Sequence, residues 1–295
     1  MKYFIYIIIL LAVFSCKKIV LDQLAFPSEK LNSYQFELYD AGDQSVPDQY
    51  GIDSNDRHLV SMLSTDKSTG KDYRIYGVYI GDTTRIGIDT IFLYCHGQST
   101  HMDVYYPRAT LLANINGKLN YGVLMIDYRG YGMSEGTSDE DGLSEDADAA
   151  INWLKEHGAS GERTIFYGFS LGCIPMIERA AFRSDFTPSK LIIEAPLASV
   201  ANLAQTSTII NIDPVFISSL KFENAENIKS VTAPLLWFHG VEDDYIALSN
   251  GQLIFNNYTG STKEAVTIEG AGHGNIPATY GFDKYVEKLE VFITP

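Results

Sequence analysis

A serine stands between two glycines in the segment Gly168–Gly172, which reads GFSLG and has the pattern G-x-S-x-G. The apolar run 164–167 before it predicts a strand, and a helix is predicted to begin near Leu171. A sharp turn between a strand and a helix raises the serine hydroxyl above the sheet, and the flanking glycines avoid collisions with neighbouring backbone. This context predicts that Ser170 is a nucleophile, although the bare pattern would also fit a surface serine in a glycine-rich turn.

A serine hydroxyl is a weak nucleophile without a base, and His273 is the candidate base. It lies in the glycine-rich sequence GAGHGN after the last predicted strand, where a loop can bring the imidazole to the nucleophile. The base in turn needs a carboxylate that orients it. Asp243, which follows a predicted strand in the sequence HGVED, is the preferred candidate, and Asp244 and Glu194 remain alternatives.

Negative charge that develops on a carbonyl oxygen is stabilised by backbone N–H donors. The N–H of Leu171 is one predicted donor, because it directly follows the nucleophile at a helix N-terminus. The N–H of Gln98, in the loop 96–99 after a predicted strand, is the other. His96 precedes the nucleophile in the chain, and we interpret it as a structural hydrogen-bonding residue.

These residues must be positioned by alternating strands and helices. Short apolar runs predict strands at 73–80, 90–95, 121–126, 163–167, 190–195, 234–238 and 264–268. Helices are predicted at 107–116, 144–157, 171–183, 248–257 and 282–292, with Ser144 as a capping residue. The alternation predicts an α/β fold with a mostly parallel sheet and helices on both faces. Residues 197–232 interrupt the pattern and are predicted to form a small cap insertion above the sheet.

Composition excludes several classes of function. The 295 residues include 22 basic and 37 acidic residues, for a formal charge of −15, which does not suit a nucleic-acid-binding protein. Three cysteines cannot form a disulfide framework, and Cys95 and Cys173 are interpreted as buried thiols. We expect no metal and no organic cofactor, because no cluster has ligand spacing. The acidic run Asp139–Asp141 is interpreted as a solvated loop.

The N-terminus has the features of an export signal. Lys2 precedes a twelve-residue apolar run, which is too short to span a bilayer and fits a signal peptide at 1–15. The sequence VFSC ending at Cys16 resembles the lipobox of bacterial lipoproteins, so we expect lipidation of Cys16 and attachment to the outside of a bacterial membrane. An ordinary signal peptide with an incidental cysteine is the alternative. Residues 16–55 are predicted to be a tether and irregular structure.

Several motifs occur together in one order along the chain. They are His96-Gly97, the segment 127–136 (DYRGYGMSEG), GFSLG, His239-Gly240-x-x-Asp243 and Gly272-His273. The set resembles the α/β-hydrolase superfamily, and most closely its serine hydrolases that include acyl-protein thioesterase and depalmitoylase-like members. The resemblance implies an α/β-hydrolase domain over 56–295 and a structural role for Asp127 and Arg129.

These observations together predict a serine hydrolase that cleaves carboxylic ester or thioester bonds through an acyl-enzyme. The expected partner is a small-molecule or acylated substrate. A peptidase on the same fold is an alternative, although its related enzymes often carry an additional propeller or large cap. A lipid-anchored binding protein that has lost catalysis is another, but the complete set of Ser170, Asp243 and His273 argues against it.

Overall fold

A computed structural model describes residues 26–36, 46–202 and 220–294. Eight strands within these residues form one sheet in the order β1-β2-β4-β3-β5-β6-β7-β8. Their bounds are β1 (Arg57–Thr65), β2 (Asp72–Ile80), β3 (Ile91–Cys95), β4 (Gly122–Asp127), β5 (Thr164–Phe169), β6 (Lys190–Glu194), β7 (Leu235–Gly240) and β8 (Lys263–Ile268).

The sheet is parallel from β4 through β8 and antiparallel at one edge. Strands β4, β3, β5, β6, β7 and β8 pair in parallel, whereas β2 is antiparallel to both β4 and β1. Every residue of β3, β4, β5 and β7 is buried, as expected for strands covered on both faces. The carboxyl ends of the parallel strands therefore meet at one edge of the sheet, where the loops can share a site.

Helices cover both faces of the sheet. They are α1 (Met102–Ala113), α2 (Glu140–Glu156), α3 (Cys173–Phe182), α4 (Asn224–Asn227), α5 (Leu248–Asn257), α6 (Ile276–Tyr280) and α7 (Phe282–Ile293). Residues of α1, α6 and α7 belong to one buried hydrophobic cluster, and residues of α2, α3, α4 and α5 belong to another. This arrangement confirms the predicted α/β-hydrolase fold with helices on both faces of a mostly parallel sheet.

Two predicted helices begin earlier than the sequence indicated. Helix α1 begins at Met102 and carries Pro107 in its second turn, where burial of nearly the whole helix outweighs the missing N–H. Helix α2 begins at Glu140, and Asp139 is its cap, because its carboxylate accepts the N–H of Gly142 at 2.7 Å. The acidic run is therefore a helix N-terminus and not a solvated loop. Ser144, the predicted cap, instead donates to Glu178 at 2.5 Å.

One strand was missed. Strand β1 lies at the edge of the sheet, and Leu59 and Leu63 on its outer face are exposed. Because only part of its apolar surface is buried, its sequence lacks the continuous apolar run of the inner strands. The first residue of the predicted hydrolase domain, 56, lies directly before this strand.

Some predicted features fall outside the described residues. These are the signal peptide 1–15, Cys16, part of the predicted tether, and residues 203–219 of the predicted cap. The described flanks of the cap include α4 and a short turn, Ile228–Ser230. Across the ranges that the structure describes, no helix combines the length and the apolar character needed to cross a membrane.

Candidate active site

The turn between β5 and α3 presents Ser170. The φ angle of Ser170 is 51°, in the left-handed region that residues other than glycine rarely adopt. A Cβ atom at Gly168 would lie 2.7 Å from the Cα of Cys173, and one at Gly172 would collide with the carbonyl oxygen of Cys95. Both glycines are thus required for the turn to fit between neighbouring strands. The predicted strand, serine turn and helix are found as expected.

Three side chains from three separate loops form one chain of hydrogen bonds. The Nε2 atom of His273 lies 2.8 Å from the Oγ atom of Ser170. The Nδ1 atom of His273 lies 2.7 Å from the Oδ2 atom of Asp243. Since a carboxylate accepts hydrogen bonds, Nδ1 carries the proton, and the free electron pair on Nε2 faces the serine hydroxyl.

Asp243 is held by a set of N–H donors that surround it. Its Oδ1 atom accepts the backbone N–H groups of Tyr245 at 3.0 Å and Ile246 at 2.8 Å. The Nε2 atom of His239 lies 3.4 Å from Oδ2, beside the bond from His273. Burial alone would raise the pKa of Asp243, but the hydrogen bonds from His239 and His273 hold it well below its ordinary value. The carboxylate therefore stays ionised while it orients the imidazole.

The tautomer of His239 follows from its neighbours. The indole N–H of Trp237, which can only donate, lies 3.2 Å from Nδ1 of His239. Nδ1 is therefore an acceptor, and the proton is on Nε2. This N–H lies 2.9 Å from the carbonyl oxygen of Ile246 and also faces Asp243. His239 thus fixes the turn that holds the carboxylate.

The two alternative acids have other surroundings. Asp244 is exposed at the rim of the site. Glu194, at the end of β6, is fully buried, and its Oε1 atom lies 2.9 Å from Nη2 of Arg108. Its other oxygen accepts hydrogen bonds from the hydroxyls of Tyr167 and Tyr285. The structure thus places Asp243 against His273 and directs Glu194 to a different set of partners.

A cavity of about 340 Å³ opens beside Ser170 and His273. Its walls include Gln98 and the aromatic rings of Tyr105, Phe169 and Tyr245. A neighbouring cavity of about 300 Å³ shares Gln98, Tyr105, Phe169 and His273. A larger groove of about 800 Å³ is lined mainly by charged side chains and shares no residue with these two. Within the described ranges, no group of three His, Cys, Asp or Glu side chains could hold a metal ion.

The two residues predicted to donate to an oxyanion lie close to the nucleophile in different ways. Gln98 shares the cavity with Ser170, and Leu171 is the next residue in the turn. The side-chain amide of Gln98 donates to the hydroxyl of Tyr245, which connects the loop after β3 to the loop after β7. The loops that carry the predicted oxyanion donor and the acid therefore meet above the serine.

Arg129 has the structural role that the resemblance implied. It is 2% exposed, and its guanidinium pairs with Asp146 at 3.0 Å and Glu145 at 2.8 Å. Its backbone N–H also donates to Asp146 at 2.6 Å. This network fixes the segment after β4 to helix α2.

Three residues whose contacts support the candidate site were not predicted from the sequence. His239 was part of a recognised motif, but its contact with the acid depends on the turn at Tyr245. Arg108 lies in a helix and gave no local signal. Tyr34 lies in the predicted tether, and its hydroxyl donates to Asp127, 93 residues further along the chain, at 2.7 Å.

The fold and the site together define a class of protein. Residues 92–238 match the model of the Alpha/beta hydrolase family. The sheet order, the helices on both faces and the serine turn after β5 agree with that match. The chain belongs to the α/β-hydrolase superfamily.

Relatives are found among curated proteins and solved structures. Alpha/beta hydrolase domain-containing protein 17B of Xenopus tropicalis is 30% identical over 205 residues, covering 68% of this chain and 65% of that protein. Protein 17C of Homo sapiens is also 30% identical over 205 residues, which are 68% of this chain and 57% of that protein. The chain thus spans less than two thirds of these relatives.

Solved structures extend the likeness over more of the chain. The esterase Pf2001 of Pyrococcus furiosus has a TM-score of 0.66 at 15% identity, covering 91% of this chain and 95% of that one. Est1E from Butyrivibrio proteoclasticus has a TM-score of 0.60 at 15% identity, covering 79% and 97%. At such identities the likeness establishes the fold.

Proposed function

We propose that this protein is a serine hydrolase that cleaves carboxylic ester or thioester bonds. The observation that carries the proposal is the hydrogen-bonded chain from Ser170 through His273 to Asp243, built on a strained turn at the carboxyl edge of the sheet. A nucleophile, a base and a group that orients the base are the parts that acyl transfer needs. The names of the structural neighbours, which include esterases, agree with this class of reaction.

The geometry supports a two-stage reaction. His273 Nε2 removes the proton of Ser170 as Oγ attacks the substrate carbonyl, and the carbonyl electron pair moves onto oxygen. The N–H groups of Gln98 and Leu171 are proposed to hold that oxyanion. When the tetrahedral intermediate collapses, His273 gives its proton to the departing alcohol or thiol. Water activated by the same base then cleaves the acyl-enzyme and restores Ser170.

The walls of the cavity suit an apolar acyl group of the substrate. The rings of Phe169 and Tyr245 lie 5.3 Å and 5.0 Å from the ring of His273, centroid to centroid. Tyr105 extends the same wall, with its ring 6.0 Å from that of Phe169. Such aromatic walls favour a hydrocarbon or planar acyl chain over a charged one.

Reaction with a fluorophosphonate probe tests this function. The probe should phosphonylate Ser170 Oγ in the wild-type protein with loss of fluoride, and Ser170→Ala should remain unlabelled. Ser189→Ala is a matched control, because Ser189 donates to the Thr164 carbonyl at the opposite end of the sheet. Ser170→Ala should lower kcat for p-nitrophenyl esters by about 10⁴–10⁶. A folded wild-type protein that is neither labelled nor active would overturn the proposal and favour a binding protein.

We also propose that the protein is exported and anchored to a bacterial membrane by lipid on Cys16, a residue outside the described ranges. Two or more acyl chains on a cysteine are enough for stable anchoring. Cys16→Ala should move the protein from the membrane fraction to the soluble fraction. Unchanged retention in the membrane fraction would contradict this proposal without affecting the chemistry of Ser170.

A further inference from the structure

The segment 26–36, here called the N-terminal arm, is bonded to the hydrolase domain although it lies in the predicted tether. Leu31 donates its N–H to the Gly132 carbonyl at 2.9 Å, and Gly132 donates to the carbonyl of Glu29 at 2.7 Å. Phe26 and Phe36 are buried, each in a different one of the two hydrophobic clusters. The arm is therefore a fixed part of the domain that passes the carboxyl ends of β3 and β4.

The arm holds one side of the peptide group that joins Gln98 to Ser99. The carbonyl oxygen of Gln98 accepts the hydroxyl of Tyr105 at 2.6 Å, and the N–H of Ser99 donates to the carbonyl of Pro27 at 3.1 Å. Ser99 has a φ of 92°, a conformation that costs free energy for a residue with a side chain. Contacts at both ends of the peptide group offset that cost.

The preceding peptide group, which carries the N–H of Gln98, is held by a second route. The carbonyl oxygen of Gly97 lies 2.7 Å from Nδ1 of His96, and Nε2 of His96 lies 2.9 Å from Oδ1 of Asp127. Because both partners are acceptors, the two hydrogen bonds form together when each ring nitrogen of His96 carries a proton. The C=O and N–H of a trans peptide point in opposite directions. Fixing Gly97 O on His96 therefore sets the direction of the Gln98 N–H, on a residue that shares its cavity with Ser170.

Asp127 is the point where this route meets the arm. Its Oδ1 atom also accepts the N–H of Met102 at 2.8 Å, so the loop from His96 to Met102 is bound to one carboxylate at both ends. Its Oδ2 atom accepts the hydroxyl of Tyr34 at 2.7 Å. The hydroxyl of Tyr34 in turn accepts the N–H of Met133 at 3.0 Å, which leaves its own proton directed at Asp127.

We propose that Tyr34 is a positioning residue for the oxyanion hole: it orients Asp127, and through Asp127 and His96 it aligns the N–H of Gln98. This inference rests on the proposed serine-hydrolase function. Burial, together with the charge of Asp127, raises the pKa of the Tyr34 hydroxyl well above its ordinary value, so it remains a donor over the working range of pH. A misaligned N–H stabilises the transition state less well. Its effect on bound substrate is smaller, because the charge on oxygen is greatest in the transition state.

The test compares Tyr34→Phe with Tyr258→Phe in the full chain. Tyr258 is a buried tyrosine whose hydroxyl donates to the Ala233 carbonyl at 2.7 Å, before the amino-terminal end of β7, whereas the arm contacts loops at the carboxyl ends of β3 and β4. Tyr34→Phe should lower kcat for a p-nitrophenyl ester about tenfold with KM unchanged, which is less than the ~10²–10³ caused by removing an oxyanion donor. Tyr258→Phe should leave kcat unchanged.

Inhibition by a trifluoromethyl ketone distinguishes a positioning role of Tyr34 from a merely structural one. It forms a hemiketal oxyanion on the serine, so its Ki should rise in Tyr34→Phe by about the same factor as kcat falls. Equal kcat and equal Ki in Tyr34→Phe and wild type would overturn the positioning role. If Tyr34→Phe does not fold, a fluorinated tyrosine at position 34 retains the shape and changes the hydroxyl acidity. In that variant, an unchanged kcat and Ki would likewise overturn the role.

The two proposals fail in different ways. If wild-type protein is not labelled by the fluorophosphonate, the serine-hydrolase function is wrong. If wild-type protein is labelled and Tyr34→Phe is labelled at the same rate, only the role of Tyr34 is wrong.

Discussion

Two buried carboxylates at the ends of neighbouring strands have different surroundings. Asp243 follows β7, and Glu194 ends β6. Asp243 contacts an imidazole and backbone N–H groups, whereas Glu194 contacts a guanidinium and two tyrosine hydroxyls. Both positions looked suitable for an acid in the sequence, because both lie at the carboxyl edge of the sheet.

The partners of a carboxylate therefore determine its role more than its position at the edge of the sheet does. The Glu194 carboxylate holds the pKa of Arg108 above its ordinary value, although burial alone would lower it. Arg108 of this pair also contacts residues next to the nucleophile and next to the base. The Arg108 guanidinium lies 4.1 Å from the ring of Phe169 and donates to the carbonyl of Gly274, the neighbours of Ser170 and His273.

The largest expected difference is in catalysis. Asp243→Asn should lower kcat by about 10⁴, because an asparagine amide can donate to Nδ1 and favour the wrong tautomer of His273. Glu194→Gln should keep kcat within about tenfold of wild type, because Glu194 does not touch the base. Steady-state kinetics on a p-nitrophenyl ester measures both. A fully active Asp243→Asn would remove the distinction between the two carboxylates.

The second difference is in stability. Arg108→Met should lower the free energy of unfolding by about 3–5 kcal/mol, since Glu194 would be left as an unpaired buried charge. Adding Glu194→Gln should recover part of the loss, because the charge is then removed as well. Urea unfolding provides the measurement. Arg85→Met is the control, because Arg85 forms a solvent-exposed pair with Asp89 whose loss should change the free energy of unfolding far less.

A smaller effect is expected in how the free energy of unfolding depends on pH. Because the pKa of Asp243 lies below its ordinary value of 3.8 in the folded state, its ionised form stabilises the fold above that value. This contribution is lost as the pH falls below about 4 towards the folded-state pKa. The difference in unfolding free energy between wild type and Asp243→Asn should therefore be constant from pH 7 to 5 and become smaller in stronger acid. A difference that grows on acidification would contradict the assignment.

The smallest expected effect is at the neighbouring acid. Asp244→Asn should change kcat by no more than about twofold, because His273 is bonded to Asp243 and Asp244 is exposed. A loss comparable with that of Asp243→Asn would show that the two adjacent carboxylates act together.

The sequence predicted those parts of the molecule that depend on local pattern. The inner strands were found because a strand buried on both faces reads as a continuous apolar run, as in β3 and β5. Ser170 and His273 were chosen as candidates because each has glycine neighbours in a turn or loop that follows a strand, and the structure brings the two side chains within hydrogen-bonding distance. The edge strand β1 was missed because Leu59 and Leu63 face outward.

Contacts between distant segments could not be predicted in the same way. The choice of Asp243 over Glu194 as the acid depends on Arg108. This residue lies in a helix distant in sequence and forms an ion pair with Glu194. The role of His239 depends on the turn at Ile246. The carbonyl of Ile246 contacts His239, and its N–H donates to Asp243. Tyr34 gave no signal, because its segment has no period and its contacts lie about a hundred residues away.

The two buried thiols offer a way to measure the rate of local unfolding around the serine turn. Cys95 ends β3 and Cys173 begins α3, and both are fully buried against the serine turn. Burial raises the pKa of Cys95 to about 12 and that of Cys173 well above its ordinary value, so neither forms the reactive thiolate in the closed protein at neutral pH. Alkylation of these cysteines should therefore proceed only through transient local unfolding. Its rate would report how often the segment that carries the nucleophile separates from the sheet, and a covalent inhibitor on Ser170 should slow it.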